Sequence, residues 1–261
     1  MNVASQMMAR IGRPFAGGAA WAWSLYELAY ETIRGMLTFR YNRRQFFEQC
    51  YEVGNRSLLF ITFALGILGL ISVYQVGHQI ERILPDFTMM GAAFINLMIR
   101  EFGPTITALM LATRVGSGIA AEIGSMVVTE QVDALRMCNA DPIRYLVVPR
   151  AAACTLMMVL LSAYGIAVAT VVGLIVADEA YGVHYQTFLN LQLVGLDDVM
   201  LGLTKAIAYG VSIPIVAAHS GLHTEGGSEG VGWATTRAVV ATSFVVIVLD
   251  FIISAFGYLV S

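Results

Sequence analysis

Residues 57–76 are SLLFITFALGILGLISVYQV, twenty consecutive residues without one charged side chain. A bilayer has a hydrocarbon core about 30 Å thick, which a helix of roughly 20 residues crosses. Hydrocarbon offers no partner to a free backbone N–H or C=O group, so such a segment has to be helical. The stretch therefore predicts a membrane-spanning helix.

Four further stretches have a similar length and the same apolar character. They are Met89–Thr113, Ala151–Ala177, Val199–Ala218 and Ala238–Val260. Only 13% of the 261 residues are charged, against about 25% in soluble domains. The net charge of −3 gives no indication of a nucleic-acid partner. We therefore predict an all-α integral membrane protein with about five transmembrane helices.

The segment before the first span has a different pattern. One helical stripe carries Trp21, Leu25, Leu28, Thr32, Met36 and Phe39, and another carries Glu27, Glu31 and Arg34. This predicts an amphipathic helix in the membrane interface, within an N-terminal region over residues 1–50. The alternative is a sixth span over Phe15–Ile33, which would bury both glutamates. Residues 51–261 form the membrane domain.

The arginines indicate the orientation of the spans. Seven precede the first span, and four follow the second: Arg10, Arg13, Arg34, Arg40, Arg43, Arg44 and Arg56, then Arg114, Arg136, Arg144 and Arg150. The connection Asp178–Asp198 has acidic residues and neither lysine nor arginine. The positive-inside rule then predicts a cytoplasmic N-terminus, and five crossings place the C-terminus on the far side. Arg82 is the exception.

The second span contains Arg100-Glu101-Phe102-Gly103-Pro104 within an apolar run. A central arginine costs about 2.5–3.5 kcal/mol on insertion scales, so such residues usually face protein or a water-filled cavity. Pro104 removes a backbone donor, and Gly103 loosens the same turn, so we expect a kink. Alternatively, Arg100 and Glu101 lie near the outer interface and extend their charges into water.

Small side chains recur at every fourth position after this kink, at Ala108, Ala112, Gly116, Ala120 and Gly124. Such a seam permits close contact with another helix, either within the chain or in a second copy.

The fifth span carries Asp250 deep in apolar sequence, on one helical face with Ser243, Ser254 and Gly257. It is a candidate proton or cation site, a hydrogen-bonding partner for another helix, or an interfacial residue. A proton- or cation-coupled secondary transporter using Asp250 and Glu101 is accordingly the alternative function. A scaffold that only anchors partners is a third.

The predicted cytoplasmic loop, at about residues 115–150, contains helix-start signals. Thr129 is a candidate cap for a short helix with Glu130 in its first turn. Asp141-Pro142 predicts a second short helix, ending near Pro149. The loop is either a docking surface or an interfacial segment that packs on its own domain.

Signals for chemistry are weak. His219 and His223 have i, i+4 spacing with Glu225 nearby, but no third convincing metal ligand accompanies them. The glycine-rich run 226–232 lacks the Lys-Ser/Thr of a phosphate-binding loop and is taken as a flexible cytoplasmic turn. We predict no catalytic site, no metal site and no cofactor.

Several long motifs resemble the MlaE (YrbE-like) permease family. They are REFGPTITAL from Arg100, ATRVGSGIAAEIGSM from Ala112, TEQVDAL from Thr129, DPIRYLVVPR from Asp141, GVGWATTRAVV from Gly230, and Leu249-Asp-Phe. The similarity runs from about residue 45 to the C-terminus. It departs at Cys138-Asn139, where many relatives have Met-Gly.

The resemblance implies the permease subunit of an ABC-type lipid transporter in the inner membrane, with a periplasmic C-terminus. It implies a homodimer, a separate ABC ATPase, a periplasmic MCE-domain protein, and phospholipid or a related lipid as substrate. It also implies the residue roles. The substrate pathway would contain Arg100, Glu101, Gly103, Pro104 and Asp250. Coupling to the ATPase would involve the helix at 129–139 and its surroundings, through Glu130, Gln131, Asp133, Ala134, Leu135, Arg136, Asp141 and Pro142.

Overall fold

The computed structural model describes residues 3–38, 43–83, 87–191 and 193–260, and all secondary structure within these ranges is helical. The α-helices are α1 (Val3–Leu37), α2 (Arg43–Ile83), α3 (Met90–Leu97), α4 (Gly103–Leu111), α5 (Ser117–Val128), α6 (Gln131–Met137), α7 (Val148–Tyr181), α8 (Tyr185–Phe188), α9 (Leu196–Leu222) and α10 (Gly227–Val260). Three π-helical turns, Met98–Phe102, Ala112–Gly116 and Ile143–Val147, lie between them.

Within the described residues, five continuous helical segments are long and apolar enough to cross a membrane. They are Arg43–Arg82, Met90–Val128, Ile143–Tyr181, Leu196–Leu222 and Gly227–Leu259. The predicted all-α membrane fold with five spans is confirmed. Because α3, α4 and α5 continue one another through two π-helical turns, together they make the second span.

Helix α1 is not among those five segments, and its exposure is one-sided. Leu28 and Thr32 are buried, whereas Glu27, Glu31 and Arg34 are exposed. This agrees with the predicted amphipathic helix, and none of the five segments covers the alternative sixth span over Phe15–Ile33. Phe39 of the predicted stripe lies outside the described residues, as do residues 1, 2 and 40–42 of the N-terminal region.

The helix of the second span continues beyond the predicted apolar stretch, and its small-residue seam is buried within the chain. All five seam residues are buried: Ala108, Ala112, Gly116, Ala120 and Gly124. Gly116 faces Thr242 of α10, and Gly124 faces Thr224, which follows α9. The helix continues to Val128, so the first part of the predicted loop over 115–150 is helical.

Two expectations for this connection were wrong. The Thr129 hydroxyl donates 2.8 Å back to the Ser125 carbonyl, so it ends α5 and does not cap α6. Glu130, at a left-handed φ of 59°, occupies the N-cap position without a side-chain bond. Asp141 does cap the next segment, since its Oδ1 accepts from the Ile143 N–H at 2.9 Å. That segment runs on into α7 and does not end near Pro149.

Two of the π-helical turns end two residues before a proline, Pro104 in the second span and Pro149 in the third. A proline lacks the N–H that an α-helix requires, and its ring crowds the carbonyl one turn earlier. A π-helical turn widens the helix locally, and the Gly103 N–H accordingly bonds five residues back to the Met98 carbonyl. Both spans thus accommodate a proline without breaking.

The glycine-rich run also differs from its predicted flexible turn. Gly226 and Gly227 have φ values of 89° and 72°, which favour glycine, and α10 begins at Gly227. The remainder of the run, through Gly232, is helical.

Helices α7 and α9 form the centre of the bundle. Helix α7 packs against α2 and α9, and α9 also packs against α5 and α10. Helix α10 has one side on this core and presents large apolar side chains outward on the other. These include Phe244, Phe251 and Phe256. Groups on α9 therefore have neighbours in several other spans.

Close helix contact predicts a specific sensitivity at Gly210. A Cβ atom there would lie 2.6 Å from the Cα atom of Thr155 on α7. We expect Gly210→Ala to lower the free energy of unfolding by about 1–3 kcal/mol, because α7 and α9 have to separate. Thermal unfolding in detergent measures this.

The matched control is Gly118→Ala in α5, where a Cβ atom would meet nothing within 4 Å. It should be neutral or stabilising by up to about 1 kcal/mol, because alanine favours helix. Equal stability of the two variants would contradict the packing of α7 on α9.

Candidate functional site: an ion cluster between three spans

Lys205, the only lysine of the chain, is fully buried in α9. Its Nζ lies 2.5 Å from Oε2 of Glu101 and 2.9 Å from Oδ1 of Asp250. Glu101 belongs to the π-helical turn of the second span, and Asp250 to α10. One ammonium group therefore joins the second, fourth and fifth spans.

Hydrogen bonds complete the surroundings of both carboxylates. The Tyr209 hydroxyl donates to Oδ1 of Asp250 at 2.7 Å, and the Thr105 hydroxyl donates to the same atom at 3.0 Å. The Ser254 hydroxyl donates to Oε1 of Glu101 at 3.3 Å. With two carboxylates and one ammonium, the ionised cluster has a net charge of −1. Buried charges are tolerated when they are paired and hydrogen-bonded in this way.

Arg100 and Glu101 are consecutive, yet they contact different groups. Nη1 of Arg100 donates to Oδ1 of Asp198 at 2.9 Å, whereas Glu101 binds Lys205. Both lie in the widened turn that precedes Pro104, where Gly103 is buried. The structure therefore gives these two consecutive residues different partners on α9.

The Arg100–Asp198 pair lies near the start of α9. Asp198 also accepts from Asn96 Nδ2 at 2.7 Å and from the Gly195 N–H at 2.9 Å. The Arg100 guanidinium lies 4.2 Å from the centre of the Tyr258 ring, a cation–π distance. Arg100 is thus fixed by protein groups and does not simply extend into water.

Beside this pair is a cavity of about 570 Å³ between α9 and α10. Its charged edge contains Arg100, Asp197 and Asp198, and most of its remaining wall is apolar. That wall includes Met200, Leu201, Ile253 and Phe256. A cavity with one charged edge suits an amphipathic molecule.

The sequence-predicted pathway residues are therefore neighbours in space. Arg100, Glu101, Gly103 and Pro104 share one turn, and Asp250 reaches that turn through Lys205. Sequence reasoning missed Lys205, Asp198 and Tyr209 as members of the site. The signal for Lys205 was present, since a single lysine stands within an apolar span.

The predicted coupling residues lie apart from this cluster, on and around α6. Val132 is buried, and the neighbouring Gln131, Asp133, Ala134 and Arg136 are exposed. Leu135 and Pro142 are half-buried, and Glu130 and Asp141 are exposed. Nη1 of Arg136 lies 3.1 Å from Oδ1 of Asp133. Helix α6 thus has one buried contact and a broad free face.

His219 and His223, the weak metal candidates, have other contacts. Their rings stack at 4.2 Å, and Nε2 of His219 lies 2.8 Å from the Ser24 hydroxyl of α1. Over the described residues, no group of three or more metal-binding side chains occurs. His219 joins α1 to the bundle.

The chain matches the family model "Permease MlaE" over residues 46–256. It is 39% identical to a probable ABC transporter permease protein of Synechocystis, over 88% of each chain. It is 31% identical to another from Pyropia yezoensis, over 90% of each chain. It is 35% identical to the intermembrane phospholipid transport system permease protein MlaE of Haemophilus influenzae, over 80% of each chain.

The ion cluster predicts a large effect of Lys205→Met on stability. Glu101 and Asp250 would lose their shared cation, and breaking a buried pair costs about 3–5 kcal/mol. We expect a loss of that order in the free energy of unfolding, measured by thermal or denaturant unfolding in detergent. Arg56→Gln is the control, since the Arg56–Glu52 pair is 61% and 46% exposed.

Arg56→Gln should cost less than about 1 kcal/mol, because exposed pairs contribute little. Equal, small losses for the two variants would show that Lys205 is not held in this cluster.

Proposed function

The chain belongs to the MlaE permease family, and we propose that it moves phospholipid or a related lipid between membranes as the membrane-spanning subunit of an ABC transporter. The permease family makes it a transport subunit rather than an enzyme. In the proposal, a separate ATPase subunit supplies the energy. The phospholipid substrate is supported by the name of the Haemophilus influenzae relative.

The observation that carries the proposal is the cavity between α9 and α10. Its apolar wall fits acyl chains, and Arg100 at its edge offers donors to a phosphate group. Gly257 lies on the same wall, directly against Leu201. Arg100, Glu101, Gly103, Pro104 and Asp250 then form or support the substrate pathway. Lys205 holds Glu101 and Asp250 in place, and Asp198 holds Arg100.

The proposed assembly is a homodimer with a periplasmic MCE-domain protein. In the proposal the second copy packs on the part of α10 that carries Phe251, whose exposed side chain would otherwise face lipid. Placement in the inner membrane, with a cytoplasmic N-terminus and a periplasmic C-terminus, is supported by the arginine distribution. The cavity would then open towards the periplasm, where the MCE protein could receive the lipid.

Two parts of the chain receive separate roles in the proposal. In the proposal residues 1–50 are the interfacial region and residues 51–261 the permease domain. The family match over residues 46–256 supports the permease domain, although α2 already begins at Arg43. The ATPase would dock on α6 and the segment after it, where exposed residues surround the buried Val132. The contact set is Glu130, Gln131, Asp133, Ala134, Leu135, Arg136, Asp141 and Pro142.

Transport by the reconstituted complex tests the substrate pathway. With the ATPase present, we expect ATP-dependent movement of fluorescent phospholipid out of donor vesicles. Arg100→Gln should lower the rate about tenfold, because it removes a charged hydrogen bond to phosphate. Arg100→Lys keeps the charge, so it should retain more of the rate.

The alternative, a secondary transporter using Asp250 and Glu101, predicts a different result. Transport would then follow an imposed pH gradient and continue without ATP. That outcome would contradict the proposed function.

Reversal of one charge tests the docking surface. Asp133 is exposed, and among the residues that the structure describes its side chain pairs with Arg136 of the same helix alone, so Asp133→Lys should leave the permease folded. We expect about tenfold less ATPase to co-purify, because like charges across an interface are unfavourable. Gel filtration of the variant checks its folding.

Asp178→Lys is the matched control, since Asp178 is exposed near the opposite end of the bundle. It should leave ATPase binding unchanged. If Asp133→Lys also retains the ATPase fully, this residue has no part in docking.

A further inference from the structure

A groove separates α1 from α10 near the beginning of α10. It has a volume of about 580 Å³, and its wall is almost entirely apolar. Trp21 of α1 and Trp233 of α10 stand on either side of it, and Val240, Ala241 and Phe244 continue it along α10. Ser24 of α1 contacts His219 of α9. Helix α1 is therefore held against α9, and the groove between α1 and α10 stays open.

Among the side chains that the structure describes, Arg237 is the one that brings a charge to this groove. The side chain is exposed, and its guanidinium has no ion pair or hydrogen bond with any residue that the structure describes. The twelve residues that follow it, 238–249, carry no charge. Arg237 therefore stands where the polar part of α10 meets its apolar part, as a residue at a membrane interface does.

Two further cavities adjoin the same guanidinium, and each has polar side chains in its lining. One, of about 390 Å³, contains Ser24, His219 and Ser220. The other, of about 470 Å³, contains Glu225 and His223. Arg237 lines both of these cavities as well as the groove. Its guanidinium is therefore close to hydrogen-bonding groups, to a carboxylate and to an apolar surface.

We propose that this groove binds one phospholipid with an amine head group as a resident ligand of the permease. The phosphate lies on Arg237 between the two indole rings, and the ammonium group points towards Glu225. One acyl chain lies along Val240, Ala241 and Phe244. The stretch of α10 from Arg237 to Phe244 is about 10 Å long. The charges match such a head group, which carries one anion and one cation.

This lipid is distinct from the transported one. Arg237 and Asp250 are thirteen residues apart on α10, or about 20 Å along the helix. The resident lipid fills the space between α1 and the bundle, and thereby attaches the interfacial helix to the last span. The proposal depends on insertion in a membrane and not on the direction or substrate of transport.

Fluorescence quenching tests the site in the purified full-length chain. The chain has three tryptophans, and Trp23→Phe leaves the two that line the groove. After removal of bound lipid, phosphatidylethanolamine with brominated acyl chains is added in detergent. We expect saturable quenching, which requires about tenfold more lipid in Arg237→Gln because a charged hydrogen bond is lost. Arg34→Gln, at an exposed arginine of α1, should behave as the parent does.

Further variants keep the outcome decisive. Ala241→Leu fills the apolar groove, so it should weaken quenching with Arg237 intact, even if Arg237→Gln fails to fold. Arg100→Gln should leave quenching unchanged, which separates this site from the transport cavity. Equal quenching in Arg237→Gln and Arg34→Gln would overturn the proposal. Equal quenching by brominated diacylglycerol, which has no phosphate, would also overturn it. So would a disulfide cross-link between two lipid-free copies that forms in Trp233→Cys and not in the parent chain, because a second copy would then occupy the groove.

Discussion

A lysine ammonium group inside a membrane helix requires counter-charges within reach. At Lys205 these are the carboxylates of Glu101 and Asp250, which come from two other spans. A charge at the centre of a membrane helix costs several kcal/mol when it is unpaired, so the three spans are held in one register. The positions of the second, fourth and fifth spans relative to one another follow from this contact.

The cluster also determines where Arg100 points. Since Glu101 is directed to Lys205, the preceding side chain lies elsewhere on the widened turn and reaches Asp198 at the start of α9. The pair that results marks the charged edge of the cavity between α9 and α10. The buried cluster is thus a positioning device, and the cavity beside it is the place for a substrate.

Hydropathy was sufficient to predict the fold, because twenty uncharged residues have few alternatives to crossing a membrane. It also identified Arg100, Glu101 and Asp250 as unusual. The pairing with Lys205 could not be predicted, since it depends on the rotation of α9 relative to α10. The continuation of this helix to Val128 could not be predicted either, since the seam of the second span packs against residues of α10 and of the segment after α9, which are distant in sequence. Thr129 was misassigned because the same hydroxyl suits either end of a helix.

The ion pair between Lys205 and Asp250 stabilises the bundle. A double-mutant cycle of Lys205→Met, Asp250→Asn and the combined variant measures this directly, by unfolding in detergent. We expect a coupling energy of about 1–3 kcal/mol, so that the double variant is more stable than the sum of the single losses implies. Strict additivity of the two losses would contradict the account.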